Sequence, residues 1–130
     1  MSNTLALIVD DDAGNRMVLK GLLELEGVDS IQVKNPLDIT QSLEDVDHLD
    51  VIFLDLEMPE IDGFELLEQM KADPRFSDTP FVAYTVHVSE ISVARQMGFH
   101  SFLGKPVNAE QFPTYLDRIL KNQPVWILPR

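Results

Sequence analysis

Apolar residues in this chain fall into two kinds of run. At 5–9, 51–54 and 81–84, and more weakly at 31–33 and 102–103, nearly every position is apolar, with β-branched and aromatic side chains prominent. A strand with one wet face alternates apolar and polar residues, whereas an unbroken run is what a parallel strand covered on both faces requires. These runs predict five buried strands. Between them the period changes. Val18, Leu22 and Leu25 fall at i, i+4 and i+7 and stop before Gly27; Ile39, Leu43 and Val46 repeat that spacing after Asn35-Pro36, an N-cap followed by proline at the first helical position. Asp62 and Glu65 form a capping-box-like pair opening a helix with Phe64, Leu67 and Met70 inward, and Pro74 lies just past its end. Ile91, Ala94 and Met97 mark a short helix stopped by Gly98. Asn108 with Gln111 opens a last helix carrying Leu116, Ile119 and Leu120. Pro113 lacks an N–H that this helix would use, so either the first turn is distorted or the helix starts nearer Pro113. Strands alternating with helices predict an α/β domain with a mainly parallel sheet and helices on both faces.

At 130 residues and 45% hydrophobic content, the chain suits one domain with one core, and it has no internal repeats. A net charge of -12 argues against a nucleic-acid surface, which needs clustered Lys and Arg, and favours a magnesium-dependent site or a basic partner. The absence of cysteine excludes disulfides and thiolate metal sites and suits a reducing cytoplasm. The apolar run at 5–9 is too short for a signal segment or a membrane span, so the expectation is a cytoplasmic protein with no membrane association. Composition shifts only at 122–130, NQPVWILPR, with two prolines, the single Trp and no helical period. Residues 1–121 are therefore expected to form the domain and 122–130 a tail or the start of a linker, with Trp126, Ile127 and Leu128 folding back to avoid an exposed apolar patch.

In a parallel sheet all strand carboxyl ends point to one edge, where ligands bind. The first predicted strand runs into Asp10, Asp11 and Asp12, the third into Asp55, the fourth into Thr85 and the fifth into Lys105. Acids at a helix start are ordinarily stabilised by its dipole, and Asp12 is expected to cap. Asp10 and Asp11, converging with Asp55, instead repel unless a cation relieves them. Carboxylate oxygens suit hard Mg²⁺, which keeps octahedral geometry and binds through a few carboxylates plus phosphate oxygens. Lys105 and the Thr85 hydroxyl then meet the remaining oxygens of a phosphoryl group. Asp55, alone at its strand end and facing the acid pair, is the candidate nucleophile, since an aspartate can accept a phosphoryl group as a mixed anhydride.

Four blocks, LIVDDDAGNR at 7–16, VIFLDLEMPEIDGFELL at 51–67, PFVAYT at 80–85 and FLGKP at 102–106, in this order and at these separations, resemble the receiver domain of two-component response regulators, of the CheY-like, stand-alone kind. The resemblance covers residues 5 to about 121. It implies a (βα)5 doubly wound, flavodoxin-like fold with five parallel strands in the order 2-1-3-4-5. It also implies that Asp55 is the phosphoacceptor and that Asp10, Asp11, Asp55 and the backbone carbonyl of Glu57 hold Mg²⁺. Thr85 and Lys105 correspond to the residues that bind the phosphoryl group, Thr85 and Phe102 to the switch pair, and Lys105-Pro106 to a cis bond. The donor implied is a sensor histidine kinase or a histidine phosphotransfer protein. The output is a change in the face made by the fourth helix, fifth strand and fifth helix, read by an unnamed downstream protein. Such a protein assists its own phosphorylation and dephosphorylation without being an enzyme in the ordinary sense.

Several positions depart from the family pattern. Val86 stands where a small residue is usual, and its methyls are expected to crowd the phosphoryl site and slow access. Glu57 and His87, each two residues past Asp55 and Thr85, occupy positions that tune hydrolysis of the acyl phosphate. Phe102 lacks the hydroxyl of the usual tyrosine, so switching rests on packing. His87 and His100 otherwise read as surface residues, Phe112 as core, and Asp45, Asp47 and Asp50 as a solvated charge run. Two other functions compete. A phosphorylation-independent docking module keeps the fold but usually loses an acid or the lysine, and this chain keeps all of them. A haloacid-dehalogenase-like phosphatase would use Asp10 in a DxDx[TV] pattern, yet Gly14 stands where Thr or Val belongs.

Overall fold

The computed structural model describes residues 4–59 and 61–128. The strands are β1 (Leu5–Val9), β2 (Asp29–Val33), β3 (Val51–Leu54), β4 (Phe81–Thr85), β5 (Ser101–Gly104) and β6 (Trp126–Ile127). They form one parallel sheet in the order β2-β1-β3-β4-β5-β6. The helices are α1 (Ala13–Leu25), α2 (Ile39–Ser42), α3 (Gly63–Lys71), α4 (Ile91–Met97) and α5 (Phe112–Leu120). The doubly wound order expected from the resemblance is present, extended by a sixth strand.

Alternation along each strand divides the interior into two layers. Leu7, Val9, Ile52, Leu54, Phe81, Ala83 and Phe102 face one way and pack against α2, α3 and α4. Ala6, Ile8, Val51, Phe53, Val82, Tyr84 and Leu103 face the other, against Leu19 and Leu23 of α1 and Phe112, Leu116 and Ile119 of α5. Both faces of β1, β3 and β4 are dry, which is why their sequences do not alternate.

The helix ends follow the predicted signals. Asp12 accepts the Asn15 amide at 2.9 Å and caps α1. Asp62 accepts the amides of Phe64 and Glu65 at 2.8 and 2.9 Å and caps α3. Gly27 and Gly98 take left-handed φ angles of 74° and 102° just past α1 and α4, where a Cβ is penalised. Of the two readings of Pro113, the later start is observed: α5 begins at Phe112, and Pro113 lies in the first turn, where no N–H is needed.

Three expectations need correction. The helix predicted through Val46 is only four residues long, preceded by a 3-10 turn at Pro36–Asp38. Its continuation is replaced by Arg75, whose Nη1 donates to the carbonyls of Leu43 and Val46 at 2.8 and 2.6 Å. Asp50 is no bystander in a solvated run, because its Oδ2 accepts the first strand amide, that of Leu5, at 2.8 Å. The segment at 122–130 is not simply a tail: Trp126 and Ile127 pair with Phe102 and Leu103, in keeping with the expected fold-back. The expected domain ends at 1–3 and the last two residues of that segment, Pro129 and Arg130, lie outside the described residues, as does Glu60 in the second block.

Gly63 opens α3 directly against the loop that carries Asp55. A Cβ there would lie 2.6 Å from the Asp55 carbonyl oxygen and 2.8 Å from the Leu56 Cα, both backbone atoms with no room to yield. Gly63→Ala is expected to lower stability by about 1–3 kcal/mol, the usual cost of forced overpacking, read as a fall in the urea midpoint at unchanged slope.

Candidate functional site

The parallel register delivers the carboxyl ends of four strands to one edge. Asp10 follows β1, Asp55 follows β3, Thr85 ends β4 and Lys105 follows β5, and all four are buried. Oxygens of Asp10, Asp11 and Asp55 lie within 4.8 Å of one another. The Lys105 ammonium lies 2.6 Å from Asp10 Oδ2 and 3.7 Å from Asp55 Oδ2. Sequence positions as far apart as 10 and 105 thus meet in one contact.

Each carboxylate is held differently. Asp10 Oδ1 accepts the Asp12 amide at 2.9 Å, and the Asp10 carbonyl accepts from Arg16 Nη1 at 2.7 Å, so the start of α1 fixes its backbone and side chain. Asp55 is held loosely: the Glu57 amide reaches its Oδ1 at 3.4 Å, and the Thr85 hydroxyl is also turned to it. Burial pushes the Asp55 carboxyl above its ordinary value, Lys105 opposes that, and Asp10 adds to it by repulsion. Tyr84, whose ring lies 4.9 Å from the Lys105 ammonium, is pushed up to about 12 by burial and by Asp10. This keeps its phenol neutral.

These acids fit a magnesium ion. The donors are hard carboxylate oxygens already gathered, Asp11 is the more exposed and leaves the cluster open to water, and one ammonium is too little countercharge for three acids.

The remaining candidates divide clearly. Thr85 is fully buried, and its Oγ1 accepts the His87 amide at 3.1 Å. Phe102 is fully buried one residue into β5, packed on the α2–α3–α4 side. The Lys105-Pro106 bond is cis. Val86, expected to crowd the acids, is 60% exposed, so its methyls lie on the surface and are not wedged among the carboxylates. His87 Nε2 and Glu57 Oε2 meet at 2.6 Å, joining the two positions named for tuning. Their equal offset past Asp55 and Thr85, at the ends of two neighbouring parallel strands, is the signal that could have predicted the contact. Arg16 and Tyr84 were missed, because a helix arginine and a strand tyrosine carry no mark of their distant partners. His100 is not free at the surface: its ring nitrogens meet Ser101 Oγ at 2.8 Å and Asn122 Oδ1 at 3.0 Å. No helix among the described residues is long and apolar enough to cross a membrane.

Comparison with known proteins adds an independent line. Residues 6–117 match the model of the response regulator receiver domain. The chain is 26% identical over 123 residues to sensor histidine kinase CheAY of Helicobacter pylori, a match covering 92% of this chain and 15% of that protein's length. It is 26% identical over 108 residues to the polar-differentiation response regulator DivK of Brucella ovis, covering 82% of this chain and 87% of that one. The receiver domain of sensor histidine kinase PA1611 from Pseudomonas aeruginosa PAO1, solved with a magnesium ion coordinated in its active site cleft, superposes with a TM-score of 0.80. That match covers 92% of this chain and 99% of the other at 22% identity, a likeness of fold.

The raised Asp55 value has a sign that can be tested. An aspartate raised in the fold above the ordinary 3.8 is penalised when ionised. Below 3.8 both folded and unfolded states are protonated and the penalty is absent; it grows as pH rises through the folded value and is full above it. In metal-free buffer, Asp55→Asn is expected to be more stable than the parent near neutral pH, the two converging below 3.8, in urea melts across that range.

Proposed function

The chain belongs to the response regulator receiver family, and from that premise we propose that Asp55 accepts a phosphoryl group from a phosphohistidine on a partner protein. Proteins of this family are signalling switches and not enzymes in the ordinary sense, and receiver domains bind Mg²⁺ at an acidic pocket. The donor in this reading is a sensor histidine kinase or a histidine phosphotransfer protein. One observation carries the assignment: Asp10, Asp11 and Asp55 converge within 4.8 Å while a single buried ammonium, Lys105, lies beside two of them.

In the transfer, an Asp55 carboxylate oxygen forms a bond to phosphorus as the phosphorus–nitrogen bond of the donor breaks. The imidazole leaves neutral when its other nitrogen carries a proton. The chain's contribution is placement and charge, not covalent assistance. Asp10, Asp11, Asp55 and the Glu57 backbone carbonyl would hold Mg²⁺, which supplies charge neutralisation for the phosphoryl oxygens when bound. Lys105, at 3.7 Å from Asp55, is placed to ion-pair with the product, and the Thr85 hydroxyl to donate to it. The Thr85 oxygen accepts the His87 amide with a lone pair, so its O–H remains available to donate while that bond is kept. Phe102, buried beneath the same edge, follows by packing, and the α4–β5–α5 face changes its preferred partner, a shift of population driven by one charged group. The chain's own residues also set how long the acyl phosphate lasts. The Glu57–His87 contact ties the loops after β3 and β4 together beside the site, at the two positions proposed to tune hydrolysis.

Incubation with acetyl phosphate is expected to give a single phosphoryl adduct by intact mass only with Mg²⁺ present. Asp55→Asn should abolish it and Asp10→Asn should greatly reduce it; an adduct that persists in Asp55→Asn places the acceptor elsewhere. Val86→Ala should quicken loading by acetyl phosphate, but by less than about tenfold, since tenfold would need a full 1.36 kcal/mol of barrier from an exposed side chain.

A further inference from the structure

Among the described residues, Lys105 is the one buried cation. An ammonium carries three donors, and in a dry site each direction left without a partner is costly. Asp10 Oδ2 at 2.6 Å takes one donor, and Asp55 Oδ2 at 3.7 Å attracts from beyond hydrogen-bond length. The third neighbour is an aromatic face: the ammonium lies over the Tyr84 ring, 4.9 Å from its centroid. Tyr84 is 4% exposed and Lys105 7%, so little water competes for the cation. A desolvated cation over a ring face is held by the ring's negative face more firmly than one at the surface.

Sheet register explains the meeting. Tyr84 stands opposite Leu103 in the β4–β5 ladder, and alternation returns Lys105, two residues past Leu103, to that same face. The Lys105 amide donates to the Thr85 carbonyl at 2.8 Å, so the two backbones still pair where the lysine side chain leaves. The ring itself is braced from behind. Phe53 meets Tyr84 edge-on, with centroids 6.4 Å apart and planes at 78°, and Phe53 in turn stands 6.5 Å from Phe112 of α5. Tyr84 therefore cannot swing away without disturbing the layer beneath α1 and α5. Its phenol, pushed up to about 12, stays neutral, so the ring adds no fourth anion to the acids.

We propose that Tyr84 is a positioning residue for the phosphoryl site: its ring face keeps hold of the Lys105 ammonium when a metal ion takes up the Asp10 carboxylate, leaving the ammonium to meet the phosphoryl group on Asp55. In the metal-free chain Asp10 already neutralises much of the ammonium charge, and the ring adds little. Once a cation draws on that carboxylate, the ring is the neighbour that remains, and its attraction counts for more. A contact of equal worth in both states would shift nothing; this inequality lets a side chain outside the acid cluster favour the loaded site. The consequence for metal and phosphoryl binding rests on the phosphoacceptor reading, whereas the contact itself does not.

The test compares the full chain with Tyr84→Phe, which keeps the ring face, and Tyr84→Leu, which keeps apolar bulk and removes it. A third set is Tyr84→Phe carrying successive ring fluorines, which nearly preserve shape while draining the negative face. The readouts are Mg²⁺ affinity by titration calorimetry with no phosphoryl donor present, and the proton shifts of the Lys105 ε-methylene in metal-free protein, which an adjacent ring face displaces upfield. Tyr84→Phe is expected to bind Mg²⁺ within about twofold of the parent, Tyr84→Leu at least about threefold more weakly, and the fluorinated set progressively more weakly with each fluorine. The Lys105 signal should move downfield in Tyr84→Leu and stay in place in Tyr84→Phe. Equal Mg²⁺ affinity in Tyr84→Leu and Tyr84→Phe, no trend with fluorine number, or an unmoved Lys105 signal in Tyr84→Leu overturns the proposal. If Tyr84→Leu does not fold, the fluorinated set decides. A parent chain that binds no Mg²⁺ overturns the proposal together with the phosphoacceptor reading, whereas a parent that binds Mg²⁺ and loads Asp55 while the fluorinated set stays flat overturns this proposal alone.

Discussion

Three carboxylates gather at the carboxyl edge of the sheet around one buried ammonium that reaches two of them. Lys105 lies within 2.6 Å of Asp10 and 3.7 Å of Asp55, and Asp11 completes the cluster. Breaking a buried ion pair by removing one partner ordinarily costs several kcal/mol, because the charge left behind is uncompensated. Here part of that imbalance exists in the intact protein. It shows in Asp55, raised first by burial and further by Asp10 despite the lysine. Acids so placed are stabilised by a cation that binds them. The backbone around the cluster is tight: Gly63 leaves no room for a methyl group against the Asp55 carbonyl, and Arg16 holds the Asp10 carbonyl from α1.

Much of this was legible in the linear order of residues. Unbroken apolar runs identified the strands because β1, β3 and β4 are dry on both faces, and the caps at Asp12 and Asp62 and the stops at Gly27 and Gly98 bounded helices through local backbone geometry. Strand ends then led to Asp10, Asp55, Thr85 and Lys105, since in a parallel sheet position along the strand is position in space. What local pattern did not carry was long-range. The helix at Ile39 stops at Ser42, and just past it the Leu43 carbonyl accepts from a guanidinium thirty-two residues on; no propensity encodes that bond. Trp126 and Ile127 form a strand because the β5 edge is there to receive them, and two residues between prolines have no period of their own.

The residues just past Asp55 and Thr85 show the same division. Glu57 and His87 were placed near the site by counting from strand ends, but their contact arises from the lateral neighbourhood of β3 and β4. Val86 was placed by the same count and judged by its bulk. Its exposure reverses the weight of that judgement, since a valine with most of its surface in water obstructs by presence and not by packing.

The two ends of the molecule's chemistry meet in β5. Lys105 leaves its carboxyl end into the acid cluster, while Phe102 and Leu103 pair with Trp126 and Ile127 along its outer edge. Phe102 lies between the two: its side chain is buried in the layer under the sheet, and its amide is bonded to the segment that covers the edge. Interiors packed this closely do not absorb a displaced ring by gradual yielding; a shift of Phe102 moves its neighbours or does not occur. A change in charge at Asp55 that reaches Phe102 thus reaches the Val125 carbonyl through a single hydrogen bond of 2.8 Å, without an intervening element.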